Sequence, residues 1–452
     1  MKYKLSSLEI PADDPFKFDA LDRKPSVEAV AQLIEELQGP FVLAIDSPWG
    51  SGKTTFVQLL KAVLQSKGYS CLYFDAWKTD FSTDPLVAFL GEISTLLPNE
   101  IKKDVHFQKA KKIATVLAKQ GLSAAVKVEI AACLSDSLSD AVDEYLQERC
   151  LIEQFHASLG KVIEKLNEGG KKSQIIIFVD EIDRCRPVYA VELLERIKHL
   201  FDIKNVLFII SLDKQQLHTS LGAVYGQGIN CDEYLRRFID LEYMLPMPET
   251  EAFTNSLFSR FEFNKLFANR THSQLHSEKD NLVQSFTALS EIFSLSLRAR
   301  EQCFTIIRVA IMTTPEKHYF FPNALIFPHL LTILTVLRVA SPAVYRRYAL
   351  ESGTAKEVVE YLKTRKGGAK MLESHFGAVT EAYLIAAKSH WNNKSDELYE
   401  YEAMAIESSR AEAERKRAKK IIKILNDISL RGSNRSLSCL VNKLELAAQF
   451  SR

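Results

Sequence analysis

Residues 41–54 read FVLAIDSPWGSGKT. The first six form a continuous apolar run closed by an acid, the pattern of a strand buried on both faces of a parallel sheet. Ser47-Pro48-Trp49-Gly50-Ser51-Gly52-Lys53-Thr54 follows, and an apolar-periodic helical pattern begins at once over residues 56–65. Strand, glycine loop and helix in this order make a phosphate-binding loop with Gly-Lys-Thr intact. Triphosphate oxygens need many converging donors, and loop N–H groups at a helix N-terminus supply them with the favourable end of the helix dipole. Gly50 and Gly52 let the backbone approach phosphate without a Cβ in the way. The candidate nucleotide contacts are therefore Trp49, Gly50, Ser51, Gly52, Lys53, Thr54 and Thr55, with Lys53 on the β- and γ-phosphates and the Thr54 hydroxyl on Mg²⁺. Ser47 stands where the motif usually has its first glycine, so the loop entry departs from the pattern.

Working outward, SCLYFDAW (70–77), QIIIFVD (174–180) and NVLFIISL (205–212) repeat the buried-strand pattern, with helical stretches such as 188–200 between them. The alternation predicts an α/β fold of βαβ units around a central parallel sheet. The third run passes straight into Asp180-Glu181 and then Asp183-Arg184. A strand ending this way can set one acid toward Mg²⁺ and the next toward an attacking water. Asp180 is the candidate metal residue, Glu181 the candidate catalytic base, and Asp183 the second candidate for that base. The fourth run ends at Ser211-Leu212-Asp213, where Ser211 or Asp213 can sense the γ-phosphate; Asp213 reads equally well as the cap of the following helix. Arg236 and Arg237 precede a short strand at 240–243 and read as an arginine finger toward a neighbouring subunit or as structural ion-pair partners.

At 452 residues the chain is long enough for two or three domains. Residues 1–25 read as an N-terminal extension and 26–248 as the sheet domain, with a helical insertion at 98–172 between the two motifs. Residues 249–452 read as an α-helical C-terminal domain. Apolar residues at 46% and charged residues at 25% exclude global disorder and disulfide scaffolds. Lys and Arg number 58 against 57 Asp and Glu, so no whole-chain field drives nucleic-acid or membrane binding. Only a local patch can do so, and SSRAEAERKRAKK (408–420) is that patch. It reads first as a solvated helix face, with nucleic acid or an acidic partner as the alternative.

Seven scattered cysteines without a C-x-x-C pair, and an N-terminus without a signal-peptide core, predict reduced thiols in the cytoplasm. Residues 319–337 carry no formal charge, but Pro322, Asn323, Pro328 and His329 interrupt them. They predict a buried helix starting near Pro328, with no membrane span. His272 and His276 lack a third ligand and give no metal site. Cys185 reads first as a packing residue, and second as a thiol whose pKa Arg184 and Arg186 lower.

The set SPWGSGKTT, LYFDAWKTD, IIIFVDEIDRCRP, VELLERIKHLFDIKNVLFIISLDKQQL and YLRRFIDLEYMLPMP resembles the KAP family of P-loop NTPases over residues 19–248, and more weakly over 293–308. The resemblance identifies Asp75-Ala76-Trp77 as the second-strand motif and the block from Asp180 as Walker B. It makes Arg298, in SLSLRAREQCFTII, a sensor-like arginine. It implies ATP rather than GTP as substrate, in keeping with the lack of an N-K-x-D signature, with Mg²⁺-dependent hydrolysis that switches conformation or assembly in a homo-oligomer. Bacterial members are often associated with anti-phage defence, which implies an effector protein or a phage component as partner. Leu21-Asp22-Arg23 is expected near the base. Two alternatives stand beside this reading: a nucleotide-gated scaffold with negligible turnover, and a DNA-associated motor.

Overall fold

The computed structural model describes residues 10–11, 13–82, 84–118, 141–166, 172, 174–268, 276–312, 328–388, 396–407, 409–430 and 440–446. They fall into two compact units, one of Ser7–Met247 and one built on Pro248–Arg452.

The first unit holds five parallel strands: β1 (Phe41–Asp46), β2 (Ser70–Asp75), β3 (Ile175–Asp180), β4 (Val206–Leu212) and β5 (Leu241–Met244). Their order is β2-β3-β4-β1-β5, so β4 separates the loop-bearing strand from the acidic one. Asp46 lies opposite Leu212, and Asp75 opposite Asp180. The chemistry-bearing residues of this unit thus leave from the carboxyl ends of adjacent strands, where open α/β sheets take their ligands.

Period-two alternation explains the two cores. Leu43, Ile45, Ile176, Phe178, Leu207 and Ile209 face α1 (Lys24–Glu36) and α2 (Lys53–Ser66), where Val30, Ile34, Phe56 and Leu60 meet them. Val42, Ala44, Ile177, Val179, Phe208 and Ile210 face the other way. The helices there are α3 (Ala76–Thr79), α4 (Pro85–Leu96), α5 (Asn99–Lys102), α6 (Val105–Ala118), α7 (Ala141–Leu166), α8 (Pro187–Leu200), α9 (Lys214–Tyr225) and α10 (Cys231–Leu235). Edge-to-face contacts of Phe201 with Phe89 and Phe155 bring α4 and α7 together around the end of α8. A fully buried side chain of this size contributes about 1.5–3 kcal/mol, so Phe178→Asp would lose that and leave a buried unpaired charge in the sheet.

The sequence expectation of strand through residue 77 fails for a local reason. The Asp75 carboxylate accepts the Lys78 N–H at 3.2 Å and caps α3, which ends β2 at Asp75. The short strand expected at 240–243 runs one residue later, at Leu241–Met244. In the insertion, α5, α6 and α7 are helical as read, and residues 119–140 lie outside the described residues.

The described residues of the second unit form helices and no strand: α11 (Thr250–Arg260), α12 (Phe263–Ala268), α13 (His276–Ile292), α14 (Leu297–Met312), α15 (Pro328–Ala340), α16 (Pro342–Leu350), α17 (Ala355–Lys363), α18 (Gly368–Glu373), α19 (His375–Lys388), α20 (Asp396–Ile406) and α21 (Glu412–Leu430). Helix α15 begins at Pro328, as the sequence predicts, and buries Leu330, Ile333, Leu334 and Leu337. Residues 319–327 and His272 lie outside the described residues. Among the described residues, no helix is long and apolar enough to cross a membrane. The basic run falls on α21, where Lys416 pairs with Glu412 at 2.7 Å and Arg417 with Glu381. The described cysteines are free thiols.

Candidate nucleotide-binding site

The loop leaves β1 with the Ser47 N–H donating to the Leu212 carbonyl at 3.2 Å. Gly50 and Gly52 take φ of +75° and +90°, backbone that glycine adopts without steric cost. Gly52 is the N-cap of α2, so the N–H groups of Lys53, Thr54 and Thr55 begin the helix without an intrahelical acceptor. The buried Lys53 ammonium donates to the Ser47 carbonyl and lies 3.9 Å from Asp183 Oδ2.

Asp183 is heavily engaged. Its Oδ2 also accepts the Trp49 indole N–H at 2.5 Å and the Asp213 main-chain N–H at 3.0 Å. Burial holds its carboxyl above the usual aspartate range, with the Lys53 charge opposing. Both oxygens of Asp213 are in use. Oδ1 caps α9 by accepting from Gln215 and Gln216, and Oδ2 accepts the Trp49 main-chain N–H at 2.9 Å. The cap is therefore realised, and the same side chain also holds the loop.

Asp180 accepts the Tyr73 hydroxyl and the Glu181 N–H, each at 2.9 Å. Glu181 sits at φ +63°, rare for a side chain of its length and a form of strain that gathers at functional sites. Its Oε1 accepts from Thr54 Oγ1 at 3.4 Å, and its Oε2 is ion-paired with Arg184. The Arg184 guanidinium also lies over the Trp77 ring, 5.6 Å from its centroid. Burial, and after it the Asp180 charge, raise the Glu181 carboxyl above its ordinary value, while Arg184 pulls it down.

The fold thus gathers Trp49, Gly50, Ser51, Gly52, Lys53, Thr54, Thr55, Asp180, Glu181, Asp183 and Asp213 at one edge of the sheet. Ser211 is fully buried on β4, and its hydroxyl has no partner among the described residues. Arg236 and Arg237 do not join them. Both are exposed after α10, Arg236 paired with Glu233 at 3.1 Å and Arg237 over the Tyr234 ring. Arg298 lies exposed on α14 in the second unit.

The lowered thiol pKa considered for Cys185 is overturned. Burial raises it, and Asp80, Asp183, Asp75 and Glu181 push the same way, while Arg186 is turned onto Asp80 at 2.9 Å. Sequence reasoning missed Tyr73 as the partner of Asp180 and the contact of Arg23 with the loop. That guanidinium, expected near the base, donates to the Ser51 carbonyl of the loop at 3.0 Å and to the Pro246 carbonyl at 2.5 Å. The sequence around Arg23 carries no local signal of which carbonyls it meets.

The model of the KAP family P-loop domain matches residues 23–313, well over half of the chain. The chain belongs to the KAP family of P-loop NTPases. Its family match starts at Arg23 and runs beyond the sheet unit through α14, so the KAP domain takes in the first helices of the second unit. The phage T7 exclusion protein of Escherichia coli strain K12 is 20% identical over 340 residues, 68% of this chain and 42% of that protein. The chain spans less than half the length of this curated relative. Among solved structures, the ORC2 protein of Aeropyrum pernix in ADPNP–ADP complexes is 12% identical at a TM-score of 0.33, covering 90% of this chain and 95% of that one. Drosophila ORC bound to poly(dA/dT) DNA and Cdc6 is 12% identical at 0.32, covering 96% and 63%.

Proposed function

We propose that this KAP protein binds ATP with Mg²⁺ at the loop and hydrolyses it, and that nucleotide state sets its conformation or its assembly as a homo-oligomer. The observation that carries this reading is Glu181 Oε1 at 3.4 Å from Thr54 Oγ1, a carboxylate set beside the hydroxyl on the metal side of the loop.

The residues present fit the nucleotide. The N–H groups at the start of α2 without an intrahelical acceptor, the buried Lys53 ammonium and the buried Ser51 hydroxyl, which has no partner among the described residues, are donors on one loop. They also fit Mg²⁺, a hard cation bound through one or two carboxylates together with phosphate oxygens. Among the described residues no three His, Cys, Asp or Glu side chains form a cage, and Mg²⁺ held in this way needs none. Thr54 Oγ1 and Asp180 would hold the ion, which when bound neutralises charge on the phosphates. Glu181 would orient the water and take its proton. Asp183 suits that task less, because its Oδ2 already serves Trp49, Asp213 and Lys53.

One observation favours a second reading, the nucleotide-gated scaffold with slow turnover. Arg184 occupies Glu181 Oε2, which removes half of the base from water. The DNA-motor reading has less support, since three cations of the basic run, Arg410, Lys416 and Arg417, already have carboxylate partners.

Likeness to a phage exclusion protein supports a role in anti-phage defence for a cytoplasmic protein, with an effector protein or a phage component as partner. Purified protein tests the core of this reading. Calorimetry should show ATP binding that Lys53→Ala abolishes, and turnover should require Mg²⁺. A folded wild-type chain that binds no ATP would sink it.

A further inference from the structure

Arg23 is 2% exposed, yet among the described residues no carboxylate pairs with it and its Nε has no hydrogen-bond partner. Asp19, the acid whose charge acts on it, is turned elsewhere: its oxygens accept the N–H groups of Leu21 and Lys24. Burial accordingly holds the guanidinium below its ordinary pKa. The residue before it, Asp22, sits at φ +49°, a strained turn that aims Arg23 inward. A buried, unpaired cation is costly and persists where it has work to do.

Its partner on the loop suggests that work. Ser51 lies between two left-handed glycines, so the Ser51–Gly52 peptide leads into backbone that only glycine adopts without strain. Arg23 Nη2 donates to the Ser51 carbonyl at 3.0 Å. A planar trans peptide points its C=O and the next N–H in opposite directions. Holding the Ser51 carbonyl on the guanidinium therefore turns the Gly52 N–H away from it. Arg23 Nη1 meanwhile grips the Pro246 carbonyl at 2.5 Å, where the chain leaves β5.

We propose that Arg23 is a positioning residue for nucleotide: it locks the Ser51–Gly52 peptide in the orientation that presents the Gly52 N–H to phosphate, and places a buried positive charge behind the loop. This rests on the nucleotide reading above. Loss of Arg23 removes a charge-assisted hydrogen bond from the Ser51–Gly52 peptide, which should cost about 10- to 100-fold in affinity for ATP and ADP alike.

The test is calorimetry of Mg·ATP and Mg·ADP with the full chain, as wild type, Arg23→Gln, Arg23→Lys and Lys53→Ala, with melting of each nucleotide-free protein recorded alongside. Arg23→Gln should weaken both nucleotides, and Arg23→Lys, which keeps the charge but not the paired donors, should recover part of the loss. If Arg23→Gln does not fold, Arg23→Lys carries the test, and a several-fold loss is expected there. A lower melting temperature with unchanged affinities would make Arg23 structural only and overturn the proposal. Wild type that binds no nucleotide would instead defeat the nucleotide reading, whereas Lys53→Ala losing ATP while the Arg23 variants keep it would defeat this inference alone.

Discussion

Asp183 Oδ2 lies 3.9 Å from the Lys53 ammonium while it accepts the Trp49 indole and the Asp213 N–H. One carboxylate oxygen ties the phosphate loop to the exits of β3 and β4. An acid so engaged shapes the loop. Asp183→Asn should therefore weaken ATP binding by about tenfold or more, the worth of a hydrogen bond to a charged group. Calorimetry on the folded variant measures this. Unchanged affinity with turnover lost would instead move the base from Glu181 to Asp183.

Glu181→Gln should do the opposite. ATP affinity stays, because Lys53 and the loop are intact, and turnover falls by roughly 10²–10⁴-fold, the usual worth of a positioned general base. Asp180→Asn should in addition weaken the dependence on Mg²⁺. Steady-state rates across a Mg²⁺ titration separate the two, and a Gln variant that hydrolyses at the wild-type rate would refute the assignment.

The parts of this site that are legible in the sequence are those whose chemistry is contiguous. The run from Phe41 to Thr54 carries strand, turn and helix start in one stretch, and the run from Ile175 to Asp183 carries the acids directly after their strand. The position of β4 between β1 and β3 is not legible, because four similar apolar runs carry no mark of which neighbours pair. The cap that Asp75 gives α3 is local, but its apolar neighbours Ala76 and Trp77 mask it as continuing strand. Contacts made across long separations, such as Tyr73 with Asp180 and Arg23 with Ser51, depend on the packed fold and leave no local pattern.

The Glu181–Arg184 pair makes turnover depend on pH in a definite direction. A base works deprotonated, and burial with Asp180 nearby raises the Glu181 carboxyl above the ordinary glutamate value. Turnover should then fall on acidification at a higher pH than an exposed glutamate would give. Arg184 opposes the rise, so Arg184→Ala should move the acid limb of the kcat/KM profile, which reports the nucleotide-free enzyme, to still higher pH. Under the slow-turnover reading, the same variant should also raise the plateau rate above that limb. An acid limb that does not move would show that Arg184 leaves the base in the working state.

Arg236 and Arg237 lie outside the gathered site, exposed after α10, and Glu233 and the Tyr234 ring are their partners within the chain. An exposed ion pair of that kind is worth little to stability, about 0–1 kcal/mol, so either arginine can be replaced with the fold kept. If the working form is an oligomer whose subunits offer these guanidinium groups to one another's nucleotide, an arginine-to-alanine change should remove turnover while the affinity of the isolated subunit for ATP stays. A finger supplied in trans is worth about 10³–10⁵ in rate in well-studied NTPases. Mixing that variant with a Glu181→Gln subunit should then restore part of the activity, since a composite site pairs an intact base from one chain with an intact arginine from the next. Specific activity should also rise with protein concentration as the assembly forms. Activity independent of concentration, with no rescue on mixing, would leave Arg236 and Arg237 as partners of Glu233 and Tyr234 alone.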